Sequence, residues 1–329
     1  MIGVVLKGHD FKYEVSELIK LFTSEFRFID ARDCMMVVEN SVFFHNNTVF
    51  SKTVYCENYG EIHAHVEHRN LDGLCERESK KVIKETIKRS MYKILEKKFN
   101  ITPPWGILTG IRPVKIVHSL IDDNFSDDQI KEKLEKDYFI SDDKINLALD
   151  IAKRERKFIY PIDENKVSLY VSIPFCPTRC YYCSFPANSL KQFGKLKPMY
   201  VEKLLQEVQG VAKLLEEQNK IIETLYIGGG TPTTLTPEEM DILIKGLFER
   251  FDLSEIKEFT VEAGRPDTIN REMLEVLKKN NVDRISINPQ TMNDETLSKI
   301  GRNHSVQDII DTFHLAREVG FDNINMDII

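Results

Sequence analysis

From Lys166 onward the chain repeats one unit: a short apolar run, a loop, then a stretch with helical spacing of its apolar residues. The apolar runs are Val167-Ser-Leu-Tyr-Val-Ser-Ile, Thr224-Leu-Tyr-Ile, Phe259-Thr-Val-Glu, Arg284-Ile-Ser-Ile and Ile324-Asn-Met-Asp-Ile-Ile. Helices are expected near 198–217, 237–251, 271–280, 294–301 and 306–319. Strands this apolar, alternating with amphipathic helices, are accommodated by a parallel sheet covered by helices. The repeat therefore predicts an α/β fold, and in (βα) barrels chemistry collects on the loops at the carboxyl ends of the strands.

The first such loop reads Ser172-Ile-Pro-Phe-Cys176-Pro-Thr-Arg-Cys180-Tyr-Tyr-Cys183-Ser-Phe-Pro. Its three cysteines lie in a span too short for a helix or strand to keep them apart. A cubane iron–sulfur cluster usually takes four thiolates. Three from one loop leave an iron open to a small molecule, as catalytic metal sites are and closed structural sites are not. The alternatives are a zinc site, which wants a second Cys or His pair that does not follow Cys183, and three buried thiols acting as small hydrophobes. Pro177, Arg179 and Tyr181 between the cysteines do not read as a core strand.

The loop after the next strand is Gly228-Gly-Gly-Thr-Pro-Thr233, where missing Cβ atoms let backbone approach a ligand closely. By itself a glycine triplet reads as a tight turn. Its position one strand beyond the cysteines gives it weight.

The cysteine segment resembles the cluster loop of the radical S-adenosylmethionine (SAM) enzymes. Tyr170-Val-Ser-Ile-Pro-Phe before it and the glycine run after it are similar to the oxygen-independent coproporphyrinogen III dehydrogenases and their relatives. Pro104-Trp-Gly-Ile-Leu-Thr-Gly-Ile-Arg-Pro113 and Ser286-Ile-Asn-Pro-Gln-Thr-Met292 make the HemZ-type branch the most similar. The resemblance spans essentially the whole chain and is strongest from Lys166.

The resemblance implies a partial (βα) radical-SAM barrel with a [4Fe–4S] cluster on Cys176, Cys180 and Cys183. It implies S-adenosyl-L-methionine held by Gly229, Gly230 and Thr231 at its amino group and by Glu262 at its ribose or amino acid part. Gln290, Arg302 and Asp327 match further contacts, Arg302 offering the cofactor carboxylate a planar donor fork. Tyr170 and Tyr182 match positions flanking the cluster. No separate catalytic side chain is implied, because the radical is generated at the cluster. The implied reaction is abstraction of hydrogen from a propionate β-carbon, followed by loss of carbon dioxide and one electron to leave a vinyl group. Two rounds convert coproporphyrinogen III to protoporphyrinogen IX in haem biosynthesis, with electrons from a flavodoxin- or ferredoxin-type donor.

Two departures bear on the substrate. Relatives carry another cysteine where Ser184 stands here, and a histidine where Ser172 stands. A haem-trafficking chaperone and a haem-degrading radical SAM enzyme, both acting on a haem-like tetrapyrrole, are the alternatives within the same resemblance. Arg265 and Lys195 are candidates by loop position for holding substrate carboxylates, although a solvated surface charge is the plainer reading of each.

Residues 1–102 read as a small α+β domain, with strands at Val4-Val-Leu, Met35-Met-Val-Val, Ser41-Val-Phe-Phe and Thr53-Val-Tyr. Helices are expected over 14–22 and 77–98. Pro103-Pro-Trp105-Gly106 breaks the second helix. A helical linker subdomain over 103–160 should follow, with caps at Ser126 and Ser141. Trp105 is expected to pack, and Arg112 and Lys115 to be solvated rather than to hold an anionic substrate. His63 and His65 share a strand face and read as ordinary exposed positions, and Cys34, Cys56 and Cys75 as buried free thiols.

The radical-SAM core is then 161–329, and Asn325-Met-Asp-Ile-Ile329 stops inside an apolar strand, so a truncated core and an inactive fragment are expected. A net charge of −7 offers no general attraction to nucleic acid or an anionic membrane. With no apolar run of membrane-spanning length, no basic secretory start and six cysteines half of which cluster, the expected location is the cytoplasm.

Overall fold

A computed structural model describes residues 1–30, 35–58, 60–110 and 112–329, which divide into two units, Met1–Pro161 and Ile162–Ile329. The first unit begins with β1 (Ile2–Lys7), α1 (Lys12–Ile19), β2 (Phe26–Phe28), β3 (Met36–His45), β4 (Thr48–Glu57) and β5 (Gly60–Asn70). The strands form one sheet in the order β2-β1-β3-β4-β5, with β1 parallel to both neighbours and β3 to β5 antiparallel. The runs at Met35 and Ser41 are one strand, not two: pairing with β4 continues from Met36 opposite Glu57 to His45 opposite Thr48. Asn46 and Asn47 turn the hairpin with φ of 45° and 54°, the left-handed pair that matches the twist of adjoining strands.

Helix α2 (Glu76–Phe99) packs on β4 and β5 through buried Ile87, Met91 and Leu95. It is followed by α3 (Val114–Asp122), α4 (Asp127–Tyr138) and α5 (Asp142–Ile159). Ser126 caps α4 reciprocally with Gln129. Ser141 stands at the N-cap of α5 without a side-chain cap bond.

Residues 103–160, read from sequence as a linker, share a hydrophobic cluster with the sheet, in which Val117, Leu134 and Ala152 join Val4 and Tyr55. At the proline break the chain folds back. The Ile107 amide donates to the Tyr138 carbonyl at 2.9 Å, and Gly106 takes φ +54° where a Cβ would collide with that carbonyl. Trp105 packs against the same cluster, with the Lys144 ammonium 5.7 Å from its ring centroid, while Arg112 and Lys115 are exposed. His65 pairs with Glu67 at 2.9 Å, and Glu67 with Arg89 at 3.0 Å. Cys56 is buried, but Cys75 is exposed at the start of α2, contrary to the buried-thiol reading, and Cys34 lies outside the described residues.

In the second unit β6 (Lys166–Ile173) leads through β7 (Phe175–Cys176), β8 (Asn188–Ser189) and α6 (Leu190–Phe193) to α7 (Lys197–Glu217). Then come β9 (Ile221–Gly229), α8 (Pro237–Arg250), β10 (Glu258–Gly264), α9 (Arg271–Lys279), β11 (Arg284–Ile287), α10 (Asp294–Lys299), α11 (Val306–Val319) and β12 (Asn323–Asn325). The main sheet is parallel in the order β12-β11-β10-β9-β6, each strand beside its predecessor in sequence. Ile227, Val261 and Ile285 on its inner strands are fully buried, as a sheet covered by helices requires. Because all five strands run the same way, the loops after them emerge along one edge. Among the described residues, no helix is long and apolar enough to cross a membrane.

Candidate metal centre

The cysteine loop leaves β6 and is closed at its neck. Phe175 and Cys176 pair with Asn188 and Ser189, and the Asn188 amide donates to the Pro174 carbonyl at 2.8 Å. Inside the neck, the Cys183 amide turns back to the Cys180 carbonyl at 3.1 Å. The loop is also tied to the segment after α10. The Thr178 hydroxyl donates to the Gly301 carbonyl at 3.1 Å, and the Tyr181 amide to the Ile300 carbonyl at 3.1 Å. Cys176 and Cys180 are buried and Cys183 half-buried, all three as free thiols facing one cavity.

The glycine run is built for close approach. A Cβ on Gly230 would lie 2.7 Å from the Phe175 carbonyl oxygen and 2.9 Å from Cys176 Sγ. Gly229, with φ +109°, leaves room for a backbone contact with Ile173 that a side chain would block. Thr231 then directs its hydroxyl to Cys176 Sγ at 3.5 Å. Burial pushes the Cys176 thiol up, and the Thr231 hydroxyl opposes that by favouring the thiolate.

Glu262, near the end of β10, accepts a 2.6 Å hydrogen bond from Tyr226 on β9. Burial, reinforced by the charge of Asp327, pushes its carboxyl above the usual range in spite of that bond. Gln290, after β11, is buried in the left-handed region at φ +64°, where its amide donates to the Asp327 carbonyl at 3.0 Å. Such backbone in a non-glycine residue costs energy and is held only where its surroundings enforce it. Arg302 is 9% exposed. It donates to the Tyr182 hydroxyl at 2.9 Å and the Gly264 carbonyl at 3.4 Å.

The same cavity is lined by Tyr182, Gly229, Gly230, Thr231, Glu262, Gln290, Arg302 and Asp327 as well as the three cysteines. Tyr170 does not line it. It stacks on Tyr226 at 5.7 Å between centroids and so stands behind the partner of Glu262. Lys195 is exposed and also outside the cavity.

Arg265 is neither a solvated charge nor free to bind substrate. It is 4% exposed, forks onto Asp267 at 3.0 and 2.9 Å, and donates to the Thr178 carbonyl and hydroxyl at 3.2 and 3.1 Å. A further contact reaches Cys180 Sγ at 3.8 Å. His304, buried after α10, lies 3.7 Å from Asp267. Burial alone would raise the Asp267 carboxyl, but His304 and Arg265 outweigh it and hold it far below the usual range. These three residues were not identified as a group from sequence. The only hint was Arg265 and Asp267 on either side of Pro266 directly after a strand.

Among the described residues no group of three or more His, Cys, Asp or Glu is gathered tightly enough for a single metal ion. A cubane cluster does not ask for that, since it presents a different iron to each thiolate. Two features fit such a group with an anionic ligand beside it. The Gly230 backbone lies where a Cβ would crowd Cys176 Sγ, leaving that face of the sulfur open. Arg302 Nε is buried without a hydrogen-bond partner, and no Asp or Glu pairs with this guanidinium among the described residues. A buried cation in that condition is completed by a carboxylate.

Residues 170–329 match the Radical SAM superfamily profile. The oxygen-independent coproporphyrinogen-III oxidase-like protein HemZ of Bacillus subtilis is 44% identical over 260 residues, 78% of this chain and 52% of that protein. The heme chaperone HemW of the same organism is 40% identical over 168 residues, 49% of this chain and 41% of that one. The solved coproporphyrinogen III oxidase HemN of Escherichia coli, a radical SAM enzyme, superposes with a TM-score of 0.45 at 31% identity, covering 54% of this chain and 40% of its own. The chain thus spans about half the length of these relatives, or less.

Proposed function

We propose, from the match of residues 170–329 to the Radical SAM superfamily, that the whole protein is a cytoplasmic oxidoreductase that decarboxylates coproporphyrinogen III propionates to vinyl groups. The observation that carries the reading is the convergence of Cys176, Cys180 and Cys183 on one cavity with residues at the ends of four further strands. Superfamily members use a [4Fe–4S] cluster and S-adenosylmethionine, which together supply one-electron cleavage of a carbon–sulfur bond and a hydrogen-abstracting radical.

The chain's own residues bind and orient. Cys176, Cys180 and Cys183 hold the cluster, and the Thr231 hydroxyl steadies the first of them. Arg302 takes the cofactor carboxylate on its free Nε edge. The Gly229–Gly230 backbone and Glu262 hold its amino and ribose groups, with Tyr226 fixing the Glu262 rotamer and Tyr170 backing Tyr226. Gln290 and Asp327 close the far side.

Each propionate loses one hydrogen atom, one carbon dioxide and one electron to become a vinyl group. Two propionates therefore consume two SAM molecules and need an electron acceptor, while a flavodoxin- or ferredoxin-type donor reduces the cluster. The second reading is haem trafficking, supported by 40% identity to a heme chaperone over 168 residues. Anaerobic reconstitution of the whole protein and incubation with SAM and coproporphyrinogen III separates the two. Vinyl products with carbon dioxide release are expected. Tight haem binding with no substrate-dependent 5′-deoxyadenosine would overturn the dehydrogenase reading.

A further inference from the structure

The cavity contains two buried arginines with different surroundings. Arg302 has an unpartnered Nε, whereas every face of Arg265 is engaged by protein. The fork of Arg265 onto Asp267 fixes the guanidinium plane, since two parallel N–H bonds to one carboxylate allow little rotation. What remains, Nη1, points into the cysteine loop. It meets Thr178 twice and Cys180 Sγ at 3.8 Å, and Thr178 passes the restraint on to the Gly301 carbonyl. The cysteine loop is thus clamped to the loops after β10 and α10 through one cation.

We propose that Arg265 is a positioning residue for the cluster loop and that its guanidinium, set by Asp267, raises the reduction potential of the cluster bound by Cys176, Cys180 and Cys183. Reduction adds one negative charge to the cluster. A buried cation that donates toward a ligand sulfur stabilises that charge, in surroundings that screen it less than water does. Asp267 offsets part of the cation's field, so the two residues act on the potential with opposite signs. The inference rests on the three-cysteine cluster but not on the identity of the substrate.

The test is a potentiometric titration of the reconstituted whole protein without SAM or substrate, with dithionite as reductant and the reduced cluster followed by its electron paramagnetic resonance signal. Arg265→Gln should make reduction about tenfold less favourable, a shift of about 59 mV to more negative potential for a one-electron couple. Arg265→Lys, which keeps the charge and loses the fork, should shift less. Asp267→Asn should move the potential the other way. A merely structural role does not produce opposite shifts.

An unchanged potential in loaded Arg265→Gln, or shifts of the same sign in Arg265→Gln and Asp267→Asn, would overturn the proposal. Where Arg265→Gln takes up too little iron to titrate, Arg265→Lys and Asp267→Asn decide it by whether Asp267→Asn is positive. A wild-type protein that takes up no cluster would sink the cluster assignment itself. Failure to decarboxylate coproporphyrinogen leaves the potentials as they are.

Discussion

The Tyr226 hydroxyl lies 2.6 Å from Glu262 Oε1, joining neighbouring parallel strands at the edge where the cysteine loop emerges. The bond holds a half-buried carboxylate in place although its surroundings disfavour the charge. Glu262 is therefore a carboxylate whose position is kept at a cost in stability.

The sign of that cost follows from linkage. Burial first, and then Asp327, raise the folded-state value of Glu262 above its unfolded value. The unfolded chain thus ionises at lower pH than the folded one. Stability from this group is full below the unfolded value, near 4.5, and is lost as pH rises through the raised folded value. Glu262→Gln should unfold at the same temperature as wild type in acid and at a higher temperature at neutral pH in the cofactor-free protein. Parallel melting curves across that range would refute the burial argument.

Arg302→Gln should weaken SAM binding by about 10- to 150-fold, the value of about 1.5–3 kcal/mol for a hydrogen bond to a charged group. Iron content should stay at the wild-type level, because Arg302 touches Tyr182 and Gly264 and none of the three cysteines. Anaerobic calorimetry of the reconstituted protein gives the affinity, and a colorimetric iron assay gives the metal content.

Gly230→Ala should impair cluster assembly before it impairs anything else. Its Cβ would stand 2.9 Å from Cys176 Sγ and 2.7 Å from the Phe175 carbonyl, so the loop must shift at a cost of about 1–3 kcal/mol. Lower iron content per chain, with the sheet's circular dichroism retained, is the expected result.

Replacing any one of Cys176, Cys180 and Cys183 by alanine should abolish the cluster absorbance. Cys75→Ala, an exposed thiol at the start of α2, should leave it unchanged. Full absorbance in Cys180→Ala would remove the ligand assignment.

In the first unit, Asn40 is fully buried, and the two hydrogens of its amide nitrogen are shared among the hydroxyls of Ser51 at 2.9 Å, Thr53 at 2.7 Å and Ser90 at 3.2 Å. Asn40→Ala leaves those hydroxyls short of a donor and should cost about 1–3 kcal/mol per group left unsatisfied. Denaturant unfolding of the variant should show the loss, and a midpoint equal to wild type would count against a satisfied network.

Periodicity made much of the second unit legible because its longer strands and helices show their own spacing. Val167 to Ile173 and the helix after Lys197 are examples. The cysteines were legible for a different reason: their chemistry is local, and one short loop carries all three. Less legible was the first unit, where Ser41 and Asn40 interrupt an apolar run and so divide, on paper, a strand that cross-strand pairing keeps whole. The proline break at 103–104 likewise marks the end of a helix and says nothing of where the chain goes next.

Sequence alone determined the alternation of strands and helices in residues 162–329, the three thiols and the glycine run, since each is a matter of residue type at short spacing. Only the tertiary structure decided the surroundings of the two arginines. Arg265 and Arg302 are alike in chemistry and both follow loops of the same sheet edge, yet one is saturated by Asp267 and Thr178 while the other keeps a free buried nitrogen. That difference depends on which groups surround each guanidinium, and those groups come from segments as far apart in the chain as Thr178 and Arg265.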